Sequence, residues 1–200
     1  GPSTPNIITV NPAVPANNLH ELIELARKTP LSYASSGVGT TTHLSMERIK
    51  LQAKIDITHV PYQPAQAVGA AVAGHTQISS TSMPPAVTQV KGGRVRAIAV
   101  TSAQRSPALP EVPTVNEQGL SGFDDLTWTG FFAPAGMSQD LANRINSEVN
   151  RALLAPDVRE RLATLGLEWQ TNTSGDFAAF LRSEIDKWSR AVKESGAKAD

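Results

Sequence analysis

The sequence has no cysteine. Disulfide frameworks, cysteine nucleophiles, zinc–thiolate sites and iron–sulfur clusters are excluded together, and the redox compartment is left unmarked. Neither sign of charge is in excess, since 18 Lys and Arg balance 18 Asp and Glu. With no net field and no dense basic cluster, nucleic acid is not an expected partner. No apolar run reaches the length of a membrane-spanning helix. An initiator Met and a charged, apolar signal segment are also missing. The opening Gly1-Pro2 reads as the scar of a cleaved tag, so fold reasoning starts near Ser3 or Thr4. The missing signal says nothing about export. What is present is 200 residues, 40% of them apolar, enough for one large or two small domains with a real core.

Apolar spacing predicts a helix over 17–29, capped by Asn17 or Asn18 and ended by Thr29-Pro30. A short strand over 31–35, a turn at 36–39 and a helix over 40–53 follow. Strands are predicted over 55–60, 76–81 and 95–100, with helices over 65–73 and 84–91. This alternation reads as parallel βαβ units in a compact α/β domain. Three prolines within 106–113, then Gly119 and Gly122, mark a connection. Beyond it, 127–133 reads as a strand and 138–154 and 156–165 as helices, with Gly166 as a cap. A short strand over 167–170 and a final helix over 174–194 complete the chain. The last helix carries one apolar stripe of Phe177, Phe180, Leu181, Ile185, Trp188 and Val192.

Several chemistries find no motif. There is no nucleotide-hydrolase P-loop and no nucleophile elbow. Thr42 stands where a dinucleotide fingerprint needs its third glycine. His20, His43, His59 and His75 are too far apart for a local metal pair, so no metal and no cofactor is expected. Ser36 and His43 are close in sequence, but no third residue is placed to orient the ring as in a hydrolase.

The segment from Ser35 to His43 is the candidate site. It joins a strand to a helix and holds Ser36, Gly37, Gly39, Thr40 and Thr41. The glycines allow a tight turn and a close approach to a ligand. Free N–H groups at the helix start, with the hydroxyls around them, form an electropositive cradle for an anion such as a carboxylate. The same residues also fit an ordinary capped strand-to-helix turn. The loop after the next strand places Tyr62 and Gln63 on the same sheet edge, where ligands bind in parallel sheets. Tyr62 fits equally well as a ligand wall or as a packed surface aromatic. Thr81 and Ser82 close a third strand there as lesser contacts. Trp128 reads as core or hinge packing.

Seven ordered segments carry a family resemblance. They are Tyr33-Ala-Ser-Ser-Gly-Val-Gly-Thr40, Thr42-His-Leu44, His59-Val-Pro-Tyr62, residues 93–102, Arg105-Ser-Pro-Ala-Leu-Pro-Glu-Val-Pro-Thr114, Glu117-Gln-Gly119 and Trp128-Thr-Gly-Phe-Phe-Ala-Pro-Ala-Gly136. Together they resemble the substrate-binding proteins of tripartite tricarboxylate transporters, the TctC or Bug family. The resemblance implies a periplasmic binding protein of type II fold. Two α/β lobes would close over a small organic carboxylate, and the loaded protein would deliver it to membrane permease subunits. It places the binding residues at Ser36, Gly37, Gly39, Thr40 and Thr41, with Tyr62 beside them. A sensory module of the same fold is the alternative, and a Ser/His hydrolase the lesser one.

Two departures from the family pattern stand out. Gln63-Pro64 replaces a basic residue and a glycine after Val-Pro-Tyr. The front of lobe 1 is missing, so the chain reads as a fragment: a tag scar and crossover strand over 1–10, lobe 2 over 11–123, and the C-terminal part of lobe 1 over 124–200. The stripe of the last helix would then lack its natural cover, and self-association through it, or an unusual docking, is expected.

Overall fold

The computed structural model describes residues 1–169 and 171–197. One long strand organises the molecule. Strand β1 (Pro2–Val10) pairs antiparallel over Asn6–Val10 with β4 (Ile78–Ser82) and over Ile7–Val10 with β5 (Arg96–Val100). Its first half pairs with β6 (Leu126–Trp128) and β7 (Glu168–Trp169). Beyond β4 lie β2 (Ser32–Ser35) and β3 (Thr58–Pro61), giving the order β3-β2-β4-β1-β5. Strand β2 is parallel to both β3 and β4. The expected parallel units are therefore interrupted, because β1 enters antiparallel between β4 and β5. Pro2, set aside as a tag scar, is the first residue of β1 and pairs with Trp169.

Helices α1 (Leu19–Lys28) and α2 (Thr41–Ala53) cover one face of this sheet, where Ile8, Leu19, Leu22, Met46, Ile49 and Ile78 form the larger core. Asn18 caps α1 by accepting the Glu21 N–H at 2.8 Å. Helices α3 (Ala67–Val72) and α4 (Met83–Lys91) cover the other face, packing Val68, Ala86 and Val87 on Ile7 and Val100.

The remaining helices are α5 (Gln139–Leu153), α6 (Pro156–Thr164) and α7 (Ser174–Ser195). Thr173 and Asp176 form a reciprocal capping box that starts α7, satisfying two otherwise orphaned N–H groups. Three expected strands are shorter than their sequence pattern. The strand predicted over 127–133 is the three-residue Leu126–Trp128, followed by one further bond to β1 in which Thr129 N–H donates to Pro2 O at 3.0 Å. Phe131 and Phe132 then lie 68% exposed. The strand predicted over 167–170 is Glu168–Trp169, and Gln170 lies outside the described residues. The strand predicted from Ile55 starts only at Thr58, since Ile55 N–H closes α2 by donating to Lys50 O.

Candidate functional site

The C-terminal ends of β2, β3 and β4 share one sheet edge, because these strands run parallel. The turn 36–40 after β2 leads straight into α2. Gly37 and Gly39 have φ of +115° and +75°, a region that side chains with a Cβ rarely enter. No acidic residue stands in the first turn of α2, so the positive end of its dipole is unopposed there. The loop after β3 is tied to the turn by Tyr62 N–H, which donates to Ser35 O at 3.0 Å. Ser80 in β4 clamps the helix start by donating its hydroxyl to Thr42 O at 2.7 Å.

Much of the expected donor set is already committed within the turn. Ser36 N–H donates to Thr42 Oγ1 at 3.1 Å, and Gly37 N–H to Ser35 Oγ at 3.2 Å. Gly39 N–H donates to His43 Nδ1 at 3.1 Å. The Thr40 hydroxyl donates to Gly37 O at 2.7 Å. A hydroxyl has one proton, so Thr42 must be the donor in its 2.9 Å contact with Thr40. The same reasoning settles Thr41. Thr127 donates to Asn6 Oδ1 at 2.8 Å, so Thr41 is the donor in the 2.6 Å contact with Thr127.

What stays free is a smaller group. The hydroxyls of Ser36, Tyr62 and Ser82 have no hydrogen-bond partner among the described residues. Each is half-buried at the shared edge. Thr41 occupies the first helical position, where no carbonyl of the helix can reach its N–H. Gln63 is exposed beside Tyr62. Helix α4 adds little, since Pro84 and Pro85 in its first turn have no N–H. Thr81 does not join the group. It is fully buried opposite Ile7, on the α3–α4 side of the sheet, and its hydroxyl is unpaired.

Sequence reasoning missed the layer beneath. Asn6, fully buried, donates to Ser45 and accepts from Thr127, so the crossover strand is bonded to α2. Arg48 pairs with the buried Asp125, whose carboxyl is raised above the usual range because burial outweighs the Arg48 charge. Ser36 and His43, the expected hydrolase pair, are not hydrogen-bonded. His43 serves Gly39 instead, and His59 lies 2.6 Å from Ser35, whose hydroxyl side is fully buried. No sequence signal pointed to His59, because its place beside Tyr33 comes from the register of β3 with β2.

The family model of the tripartite tricarboxylate transporter family receptor matches residues 2–197. The chain belongs to this family. Members of it are periplasmic binding proteins. A relative from Pseudomonas sp. (strain P51), a UPF0065 protein in the tcbD-tcbE intergenic region, is 37% identical over 194 residues, covering 95% of this chain and 58% of the relative. The structure of R. palustris Rpa4515 with adipate superposes with a TM-score of 0.90 at 29% identity, over 98% of this chain and 66% of that one. MatC from Rhodopseudomonas palustris with bound malate gives 0.83 at 30% identity, over 96% and 67%. The chain thus spans about three-fifths of the length of several curated relatives.

Proposed function

We propose that this chain is the ligand-binding part of a periplasmic receptor that captures a small organic carboxylate and presents it to transporter permease subunits. The observation that carries this is the set of uncommitted donors at one sheet edge: Ser36, Tyr62 and Ser82 hydroxyls with the α2 N-terminus. Neutral donors at the positive end of a helix suit a carboxylate without needing a cationic side chain. Two similar structures hold adipate and malate, both dicarboxylates, so that class is the first to test.

Binding rather than hydrolysis fits the proton inventory. Ser36 lacks a base, and Ser35, which has one in His59, is buried away from any substrate. Adipate, malate, succinate and benzoate are to be screened by thermal shift and calorimetry. Ligand at a hundred times its Kd adds about 2.7 kcal/mol of stability. A selective shift with one acid, weakened about three- to tenfold by Ser36→Ala or Tyr62→Phe through loss of a neutral hydrogen bond, is the expected result. The reading is overturned if no acid shifts the protein, or if both variants bind as tightly as the parent chain.

A further inference from the structure

Two stacked imidazoles lie under the turn. His43, in the first turn of α2, and His59, in β3, have ring centroids 4.0 Å apart and planes inclined by 18°. Tyr33 of β2 also stacks on His59, at 4.9 Å. Each imidazole supports a turn amide. Gly39 N–H donates directly to His43 Nδ1. Gly37 N–H donates to Ser35 Oγ, which lies 2.6 Å from His59 Nε2 and 3.3 Å from Gly37 O. The Ser35 proton therefore has its better acceptor in the His59 lone pair. An amide N–H can only donate, so His43 Nδ1 must carry a lone pair as well.

We propose that His43 and His59 are positioning residues of the binding turn: their lone pairs hold Gly39 and, through Ser35, Gly37, and this set of hydrogen bonds persists only while both rings are neutral. Protonation of His43 Nδ1 would set donor against donor and release the Gly39 amide, whereas protonation of His59 Nε2 would turn the Ser35 proton from the ring to Gly37 O, with the Ser35 lone pairs still accepting the Gly37 N–H. The consequence for ligand capture rests on the carboxylate reading above, whereas the effect on the turn does not.

The groups around the pair favour neutrality. Glu47 of α2 is the carboxylate nearest the rings, with Oε1 3.9 Å from His43 Nε2. That same oxygen already accepts from Tyr33 OH at 2.7 Å and from Lys50 Nζ at 2.8 Å. Lys50 also lies 3.9 Å from Asp56 in the α2–β3 connection. On the far side of α2, Lys193 of α7 lines a groove with Gly39, Thr41 and Leu44. Helix α3 brings no titratable side chain. Burial is the main cause that lowers both rings. For His43, Glu47 opposes it and Lys50 adds to it. For His59, the neighbouring His43 adds to it, and the value falls to about 4. The fold thus prefers neutral rings. Stability from neutral His59 is full above an unfolded value of about 6.5 and is lost as pH falls toward about 4; His43, also lowered, acts in the same direction.

The test follows backbone amides of the ligand-free chain by ¹⁵N–¹H NMR from pH 7.5 to 3.5. Parent, His43→Asn, His43→Leu and His59→Gln chains are compared. The Asn Oδ1 can stand where Nδ1 stands and accept the same N–H, yet it does not titrate. In the parent, Gly39 and Gly37 resonances should follow the ring titrations. In His43→Asn, Gly39 should keep its neutral-pH position and lose the pH response. In His43→Leu it should be displaced at every pH. In His59→Gln, Gly37 should lose its response. Adipate calorimetry runs in parallel, with binding about three- to tenfold weaker in His43→Leu and largely recovered in His43→Asn. The proposal is overturned if Gly39 and Gly37 stay unmoved by ring titration and by substitution. If the amides respond as expected but adipate binds no variant, positioning stands and the carboxylate reading falls. If adipate binds parent and His43→Leu alike while the amides are unmoved, the reverse holds.

Discussion

Residues 1–125 and residues 126–197 follow the same patterning rules and end in opposite states. In the first region a sheet lies between two helix pairs, and Ile8, Leu22, Ile49, Ile78 and Ile98 are almost completely buried. In the second, Gly166, Glu184 and Ala191 are the buried residues among those described. Helix α5 has an apolar stripe as regular as that of α1, yet Leu141 and Ile145 remain exposed. Phe131, Phe132, Ile145, Phe177 and Leu181 line an apolar groove of about 470 Å³. Periodicity says which face of a helix gains from burial. It does not supply the second layer that buries it.

Helix α7 docks within this chain, in an arrangement shared with the adipate-bound family structure rather than an unusual one. Its Phe177 and Phe180 meet Trp128 edge-on, and Glu184 accepts from the Nε1–H of both Trp128 and Trp188. The helix also packs across α2. Ile185 on the same stripe stays 56% exposed.

The contrast can be broken from either side. Ile49→Ala opens a cavity in the first region and should cost about 2–5 kcal/mol, read as a lower urea midpoint. Gly166→Ala attacks the junction. Gly166 has φ of +70°, and a Cβ there would come within 2.9 Å of Met83 Cβ, so a loss of about 1–3 kcal/mol is expected in the same assay. Thr127→Val removes the donor to buried Asn6 and the acceptor for Thr41. An unsatisfied buried carbonyl costs about 1–3 kcal/mol, and the lower end is expected because Thr127 itself is only half-buried. Leu154→Ala, at an exposed site in the second region, should fall within about 0.5 kcal/mol of the parent. A Leu154→Ala loss as large as that of Ile49→Ala would show that the second region is covered in solution.

The elements were largely legible, because caps and breakers are local. Asn18 and Gly166 mark boundaries near where the structure has them. Strand ends were less legible. The stretch after Trp128 has strand-forming residues, yet β6 ends there and Phe131 and Phe132 are exposed. The antiparallel insertion of β1 was hidden as well, since alternation of strands and helices does not reveal which strands become neighbours. At the site, the glycine turn, its helix and the Tyr62 loop were visible as motifs. The histidine pair was not, because His43 and His59 meet only through the register of β2 with β3.

The sequence by itself determined that a glycine turn rich in hydroxyls would open a helix, and that two glycines would carry the positive φ values the turn needs. Only the tertiary structure decided which of those hydroxyls still has a proton to offer. Thr41 gives its proton to Thr127, 86 residues away, and Thr40 gives its proton to Gly37. Ser36 and Tyr62 keep theirs. The physical reason is that each hydroxyl carries a single proton, and the acceptor that takes it is chosen by whichever strand the fold brings alongside.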